Sequence, residues 1–429
     1  MKRRTRDASR PRFYYGWVLV VTLGITETIT WGILYYGFAV FLPVMESDLG
    51  WSRGEMSGAF SLATLLAGLG AAPVGRWLDF RGPRLLMTAG SIAATLLVLG
   101  WSQVRDLALF YLLWILIGIT MATVLYEPAF AVVTAWFERK RTRALTAVTL
   151  MAGFASTIFM PLESWLIELQ GWRPALLTLA AFLALTTILP HALLLRRRPE
   201  DLGLHVDGEA TPPAHHGPAA RPPSVSVGEA LRDPSFRWLV VAFSLSTLVS
   251  FAVHVHLVAY LQDRGYEATL AATATGLIGA MQVLGRILLG LLGDRVSLRV
   301  STALTLGIQP IALLVLLLVP GPLGAFTFIA LFGASKGVQT LVRPAYVAAL
   351  YGRERYASIA GALAAFVTGA NALAPISGGA AHDMLGSYEP LLWAFVGLSA
   401  VAAGAALLVR RGSASVEQPL TPVAGPAAD

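Results

Sequence analysis

Apolar stretches recur along the whole chain, separated by short polar segments, and most reach the roughly 20 residues that a helix needs to cross a hydrocarbon layer of about 30 Å. None alternates residue by residue as barrel strands do. Backbone groups in lipid must be paired within their own segment, so each run is predicted to be a helix. The spans fall at approximately Tyr14–Pro43, Glu55–Leu78, Leu85–Trp101, Leu107–Phe137, Ala144–Leu169, Pro174–Leu195, Phe236–Gln262, Leu270–Gly293, Val300–Val319, Pro322–Tyr351, Tyr356–Ala381 and Pro390–Val409. This is an all-α membrane protein with twelve transmembrane helices. Six spans precede and six follow Arg196–Arg237, the one long polar stretch, whose Pro-rich run Thr211–Pro223 reads as a linker. Within it, Ser226 and Glu229 have capping-box spacing, which predicts a short surface helix. The expected organisation is a basic tail over 1–13, a six-helix bundle over 14–195, a linker over 196–235, a second bundle over 236–410 and a tail over 411–429.

Charge sets the orientation. Only 13% of the 429 residues are charged against 56% hydrophobic, too apolar for a water-soluble core. With both termini on the inside, 25 of the 32 Lys and Arg residues fall on the inner side, counting Arg76 and Arg237 at inner helix ends, four in the opposite loops and three deeper within helices. Cytoplasmic termini in an inner (plasma) membrane follow from the positive-inside rule, and the net charge of +7 then calls for no nucleic-acid partner. The first apolar run is too long for a signal-peptide core and is expected to stay on the protein. The chain has no cysteine, which excludes disulfides and thiolate chemistry. It has no Gly-Lys phosphate loop either, so energy for any transport should come from gradients rather than ATP, and no cofactor is called for.

The two halves repeat. Gly75, Asp79 and Arg84 recur as Gly290, Asp294 and Arg299 at an offset of 215. Glu127-Pro128-Ala129, leading to Glu138-Arg139, recurs as Arg343-Pro344-Ala345, leading to Glu354-Arg355, at an offset of 216. Parallel six-helix repeats about an axis along the membrane normal characterise one class of transporter. The Gly75–Arg84 run resembles the loop signature of the major facilitator superfamily, and its weaker copy at Gly290–Arg299 sits where that fold repeats it. The resemblance spans essentially the whole chain. It implies two pseudo-symmetric bundles, a solute site near mid-membrane surrounded by the first, fourth, seventh and tenth helices, and a conformational latch of Gly75, Asp79, Arg81, Arg84, Asp294 and Arg299. Glycines there let helices approach closely. Asp79 and Asp294 end helices whose dipole disfavours an acid, so they should find donors in one conformation only, whereas topogenic loop charge alone would explain Arg81 and Arg84.

Ionisable residues at membrane depth line cavities or pair, because each costs on the order of 3 kcal/mol or more. The candidates are Glu27, Glu127, His254, Gln282, Arg286, Lys336 and Arg343. Glu127 and Arg343 occupy equivalent repeat positions, each before a proline that frees a backbone carbonyl, and are expected to form a gate, a solute-sensitive pair or a static packing pair. Lys336 lies two turns before Arg343 on the same side of its helix, unless it snorkels to the interface. Together with Arg286, these cations point to an anion. The stretch Gln282–Gly290 resembles the corresponding helix of monocarboxylate and oxalate–formate carriers, in which the arginine is read as grasping a carboxylate. Tyr14–Trp17, Leu49–Ser52, Trp136–Arg141 and Gly171–Arg173 also resemble bacterial members of that branch. Two departures stand out: an acid usual one turn before the arginine is Gln282, and the first-helix lysine of the animal carriers has become Tyr35 or Tyr36. The proton carrier is then Glu127 or Glu27. His254 and His256 point to different sides of a helix and do not share a metal ion, and one of them is a candidate polar cavity-wall residue. Glu163, after Pro161, reads as an interfacial charge.

The resulting expectation is a secondary active transporter of a small organic anion, a monocarboxylate first, working by alternating access as a monomer in the lipid bilayer, proton-coupled or exchanging. A proton-coupled exporter of drugs or metabolites would share the topology. Such exporters, however, often carry an arginine where Trp114 precedes Gly118, and a Gly-rich fifth helix that is reduced here to Gly153 and Pro161. A membrane-embedded enzyme would need a clustered nucleophile, base or metal set, and a sensor would need a soluble output domain. The chain offers neither.

Overall fold

The computed structural model describes residues 14–209, 227–292, 298–351 and 356–409. Among these, long helices follow one another with no strand. They are α1 (Tyr15–Leu49), α2 (Arg53–Arg81), α3 (Pro83–Ser102), α4 (Leu107–Trp136), α5 (Arg141–Gln170), α6 (Trp172–Leu194), α7 (Pro234–Asp263), α8 (Ala268–Leu292), α9 (Leu298–Leu318), α10 (Gly321–Tyr351), α11 (Tyr356–Leu385) and α12 (Glu389–Leu408). Ten are long and apolar enough to cross a membrane. The other two, α2 and α10, are 29 and 31 residues long and are diluted by small and charged residues. A linker helix, Val227–Arg232, forms where the capping spacing placed one.

Local chemistry explains the helix ends. Ser52 and Glu55 form a reciprocal capping box at the start of α2: the Glu55 N–H donates to Ser52 Oγ at 3.2 Å and the Ser52 N–H to Glu55 Oε2 at 2.9 Å. Gly82, at φ +75°, turns the chain between α2 and Pro83, which opens α3 with the φ that a first helical turn needs. The fourth span is not one straight helix. It breaks at Leu125 (φ −95°, ψ −161°), because Pro128 has no N–H to give to the Val124 carbonyl. Its repeat counterpart α10 runs on as helix through Pro344. Wider π-helical turns interrupt α1 at Gly32–Tyr36 and α6 at Ala184–Ile188.

The chain divides into two compact units, one comprising Met1–Ala219 with His254–Gly279 and the other Ala220–Val253 with Ala280–Asp429. In the first, helices meet on glycines. A Cβ on Gly118 of α4 would stand 2.4 Å from the Ala63 carbonyl of α2, and one on Gly32 of α1 would stand 2.2 Å from Phe159 of α5. Phe38 and Phe60 stack at 4.3 Å, with Trp114 edge-on to both, so Trp114 is a fully buried core ring. Buried His191 of α6 joins Ser91 of α3 (2.8 Å) and Thr26 of α1 (3.1 Å).

The segments that resemble the carrier branch meet in pairs. Tyr14 donates to the Trp136 carbonyl at 2.8 Å, and Trp17 packs on Phe137. Trp172 donates to Asp48 at 3.0 Å just before the 49–52 loop, and Arg173 donates to the Ser102 and Val104 carbonyls. Arg53 is nearly buried between Glu46 (2.8 Å) and Asp263, which it grips with both terminal nitrogens at 2.6 and 2.9 Å. The first part of the expected linker is tied down: Asp207 accepts from the backbone N–H groups of Glu138, Arg139 and Lys140 at 3.2, 2.7 and 3.2 Å. Bonds to a charged acceptor are worth about 1.5–3 kcal/mol each before competition with water. Asp207→Ala is therefore expected to lower thermal stability in detergent by about 2 kcal/mol, with Asp207→Asn, which keeps one acceptor oxygen, losing less; equal melting of all three proteins would refute the anchor.

In the second unit a polar ladder crosses α7, α9 and α10. Ser246 donates to Gln309 Oε1 at 2.6 Å, Gln309 Nε2 donates to Ser250 Oγ at 3.0 Å, and Gln339 Nε2 donates to Ser246 Oγ at 2.5 Å. Phe236, Phe243, Val342, Tyr346 and Leu363 close the core around the linker helix through Ala230.

Candidate functional site

In the first unit, polar and aromatic groups gather around the π-helical turn of α1. That turn carries Tyr35 and Tyr36, both half-buried, and widens the helix so that consecutive rings share one region. Trp31 lies 4.7 Å from Tyr35, 6.2 Å from Tyr36 and 5.0 Å from Tyr126, which stacks on Phe130 at 4.9 Å. His254 of α7, buried, packs edge-on to Tyr36 at 5.0 Å. Glu27 is fully buried one turn before Trp31 and accepts from its indole N–H at 3.0 Å. Glu127 is exposed and sits in the first turn after the α4 break, where a helix N-terminus favours negative charge. The sequence-derived residues Glu27, Tyr35, Tyr36, Glu127 and His254 thus belong to one unit, joined by Trp31 and Tyr126, which sequence reasoning missed. The available signal was a tryptophan one turn after a membrane-depth acid.

In the second unit the cations come together. α8 and α10 touch backbone to backbone, since a Cβ on Gly285 would stand 2.3 Å from the Ala334 carbonyl and one on Gly337 would stand 2.0 Å from the Gln282 carbonyl. Arg286 follows the first glycine and Lys336 precedes the second, so this seam sets them close enough for their charges to repel. Both are half-buried, and Lys336 has no ion-pair partner among the described residues. Gln282 is buried beside the seam. Arg343 is half-buried two turns along α10 from Lys336, and between them Gln339 is held by Ser246.

Asp294 lies outside the described residues, as do the side chains of Asp79 and Arg299. Arg81 and Arg84 are exposed, and Arg81 lies over the Trp77 ring at 4.8 Å. A Cβ on Gly75 would meet no described atom within 4 Å, so the close approach expected there is made instead by Gly118, Gly285 and Gly337. Glu163 corrects the sequence reading outright: it is fully buried rather than interfacial, because Gly37 of α1 leaves room for its carboxylate inside the bundle. Among the described residues, no cluster of three or more His, Asp or Glu could hold a metal ion.

Residues 23–335 match the family model of the Major Facilitator Superfamily. The chain belongs to that superfamily. Its relatives include Monocarboxylate transporter 13 of Bos taurus, 28% identical over 345 residues that cover 78% of this chain and 75% of the relative. Monocarboxylate transporter 13 of Rattus norvegicus is 30% identical over 293 residues, 68% of this chain and 64% of that protein. Among solved structures, a bacterial homologue of the human lysosomal transporter Spinster, in an inward-facing and unoccupied conformation, matches at TM-score 0.66 and 16% identity over 93% of this chain and 95% of that one. That likeness carries the fold. The protein is a multi-pass membrane transporter of the superfamily, not an enzyme, and the expected twelve-helix fold stands.

Proposed function

We propose that this protein is a secondary active transporter of a small organic anion, with a monocarboxylate as first candidate, that works by alternating access and is coupled to protons or to exchange. The observation that carries the reading is the Arg286–Lys336 pair: two cations held together by a glycine seam, with no carboxylate ion-paired to the lysine. An ammonium with no carboxylate beside it in a membrane-embedded helix is stabilised when an anion docks against it. A guanidinium matches the two oxygens of a carboxylate, and an ammonium adds a third donor and a point charge. The monocarboxylate relatives support the same solute class. Glu27 and Glu127 are the acids of the first unit assigned to proton coupling. The charge distribution supports a plasma-membrane location with both termini cytoplasmic.

The test is counterflow in proteoliposomes against mono- and dicarboxylates, branched-chain and aromatic acids, and cationic drugs. Saturable exchange of monocarboxylates is expected. Exchange of drugs with no response to any acid would replace this reading with the exporter.

A further inference from the structure

We propose that Glu163 is a proton-binding site of the transporter, a carboxyl group of α5 that is loaded and emptied as α5 and α8 close and part. Its place in the fold carries the argument. Glu163 has 0% exposure, and neither carboxylate oxygen has a hydrogen-bond partner among the described residues. Its cavity is provided by Gly37, where a Cβ would stand 2.8 Å from Oε1. Any other residue at position 37 would push the carboxyl group out.

Among the described residues, the surroundings of Glu163 hold no compensating charge. The helices packed against this part of α5 bring Glu27, Tyr35, Tyr36, Glu46 and Asp48 from α1 and Arg173 from α6; Glu267 precedes α8, and Glu168 is on α5 itself. Arg173, the cation of that set, is engaged at the loops with Asp48 and the carbonyls of Ser102 and Val104. An ionised carboxylate in such a place is far costlier than the neutral acid, so the closed arrangement holds the acid form. Loading forms one O–H bond on a carboxylate oxygen, takes one proton from water and changes the side chain from −1 to neutral. Unloading reverses each change.

The site also has a wall of hydroxyl contacts within its own unit. Ser156, seven residues before Glu163 and on the same face of α5, donates to the Gly276 carbonyl of α8 at 3.1 Å, and Thr157 donates to it at 2.8 Å. Ser164 lies 3.4 Å from Thr269, which in turn bonds Glu168. These are hydroxyl contacts over small residues rather than interlocked apolar side chains, so separation of α8 from α5 would let water reach the carboxyl group at little cost.

Three measurements on the full-length protein decide the matter. Dicyclohexylcarbodiimide modifies protonated carboxyl groups in apolar settings, and peptide mass mapping is expected to find the adduct on Glu163, increasing as pH falls. Infrared difference spectra through a pH titration should show a protonated-carboxyl C=O band that vanishes in Glu163→Gln and returns shifted in Glu163→Asp. With lactate as probe, uptake driven by an inward proton gradient should fall at least tenfold in Glu163→Gln and recover partly in Glu163→Asp. An unmodified Glu163 in wild type, or an unchanged C=O band in Glu163→Gln, would overturn the proposal. The coupling role rests on the anion-transport reading, but the site does not: if lactate is not carried at all, that reading fails while labelling and spectra still decide Glu163. Should Glu163→Gln fail to fold, the wild-type adduct and the Glu163→Asp spectrum still decide it.

Discussion

Arg286→Ala is expected to reduce monocarboxylate counterflow about 100-fold, while leaving the protein folded and monodisperse in detergent. The size follows from the chemistry: a guanidinium–carboxylate contact is a pair of charge-assisted bonds of about 1.5–3 kcal/mol each, part of which the neighbouring Lys336 retains, and each 1.4 kcal/mol is a factor of ten. Arg286→Lys separates charge from geometry. It keeps the cation but loses the two-pronged donor, so it should restore only a small part of the transport. Counterflow in proteoliposomes together with thermal unfolding makes the measurement, and wild-type exchange in Arg286→Ala would remove this arginine from the solute site.

Gly337→Val is expected to be the most damaging single substitution in the second unit. Its Cβ alone would stand 2.0 Å from the Gln282 carbonyl, a backbone atom that cannot turn aside. The helices must then part along the seam that holds Gly285 against Ala334, at a cost of about 3 kcal/mol or more. Both cations move with their helices, so transport is lost together with stability. Gly307→Ala and Gly361→Ala provide the contrast. A Cβ at either position meets no described atom within 4 Å, and replacing glycine inside a helix gains roughly 0.5–1 kcal/mol. Thermal unfolding in detergent should therefore rank the Gly307 and Gly361 variants at or above wild type and Gly337→Val well below it. Equal melting of Gly337→Val and wild type would show that α8 and α10 do not depend on this contact.

Most spans begin and end within three residues of where hydropathy put them, because a helix in lipid has one way to satisfy its backbone and a length dictated by the bilayer. The start of α2 is legible in Ser52 and Glu55, which have the same capping spacing as Ser226 and Glu229 at the linker helix. The candidate site was legible only as an inventory of charges. Glu27, Glu127, Arg286, Lys336 and Arg343 stand out because ionisable residues are costly in lipid, whatever they touch.

Contacts were not legible. That Arg286 and Lys336 are neighbours depends on Gly285 and Gly337 meeting opposite carbonyls, and a glycine in a sequence does not say which helix it lets in. Glu163 shows the same limit in reverse. Its position after Pro161 near a helix end suggested the interface, whereas the depth of a side chain depends on the partner that covers it, here Gly37, more than a hundred residues earlier. The sequence by itself determined the number of spans and the types of charge within them, since transfer from water to lipid acts on each segment alone. Only the tertiary structure decided which charges stand together and which stand uncompensated, because helix–helix contacts in a membrane rest on the shape of small residues rather than on hydrophobicity, and shape is shared between segments far apart in the chain.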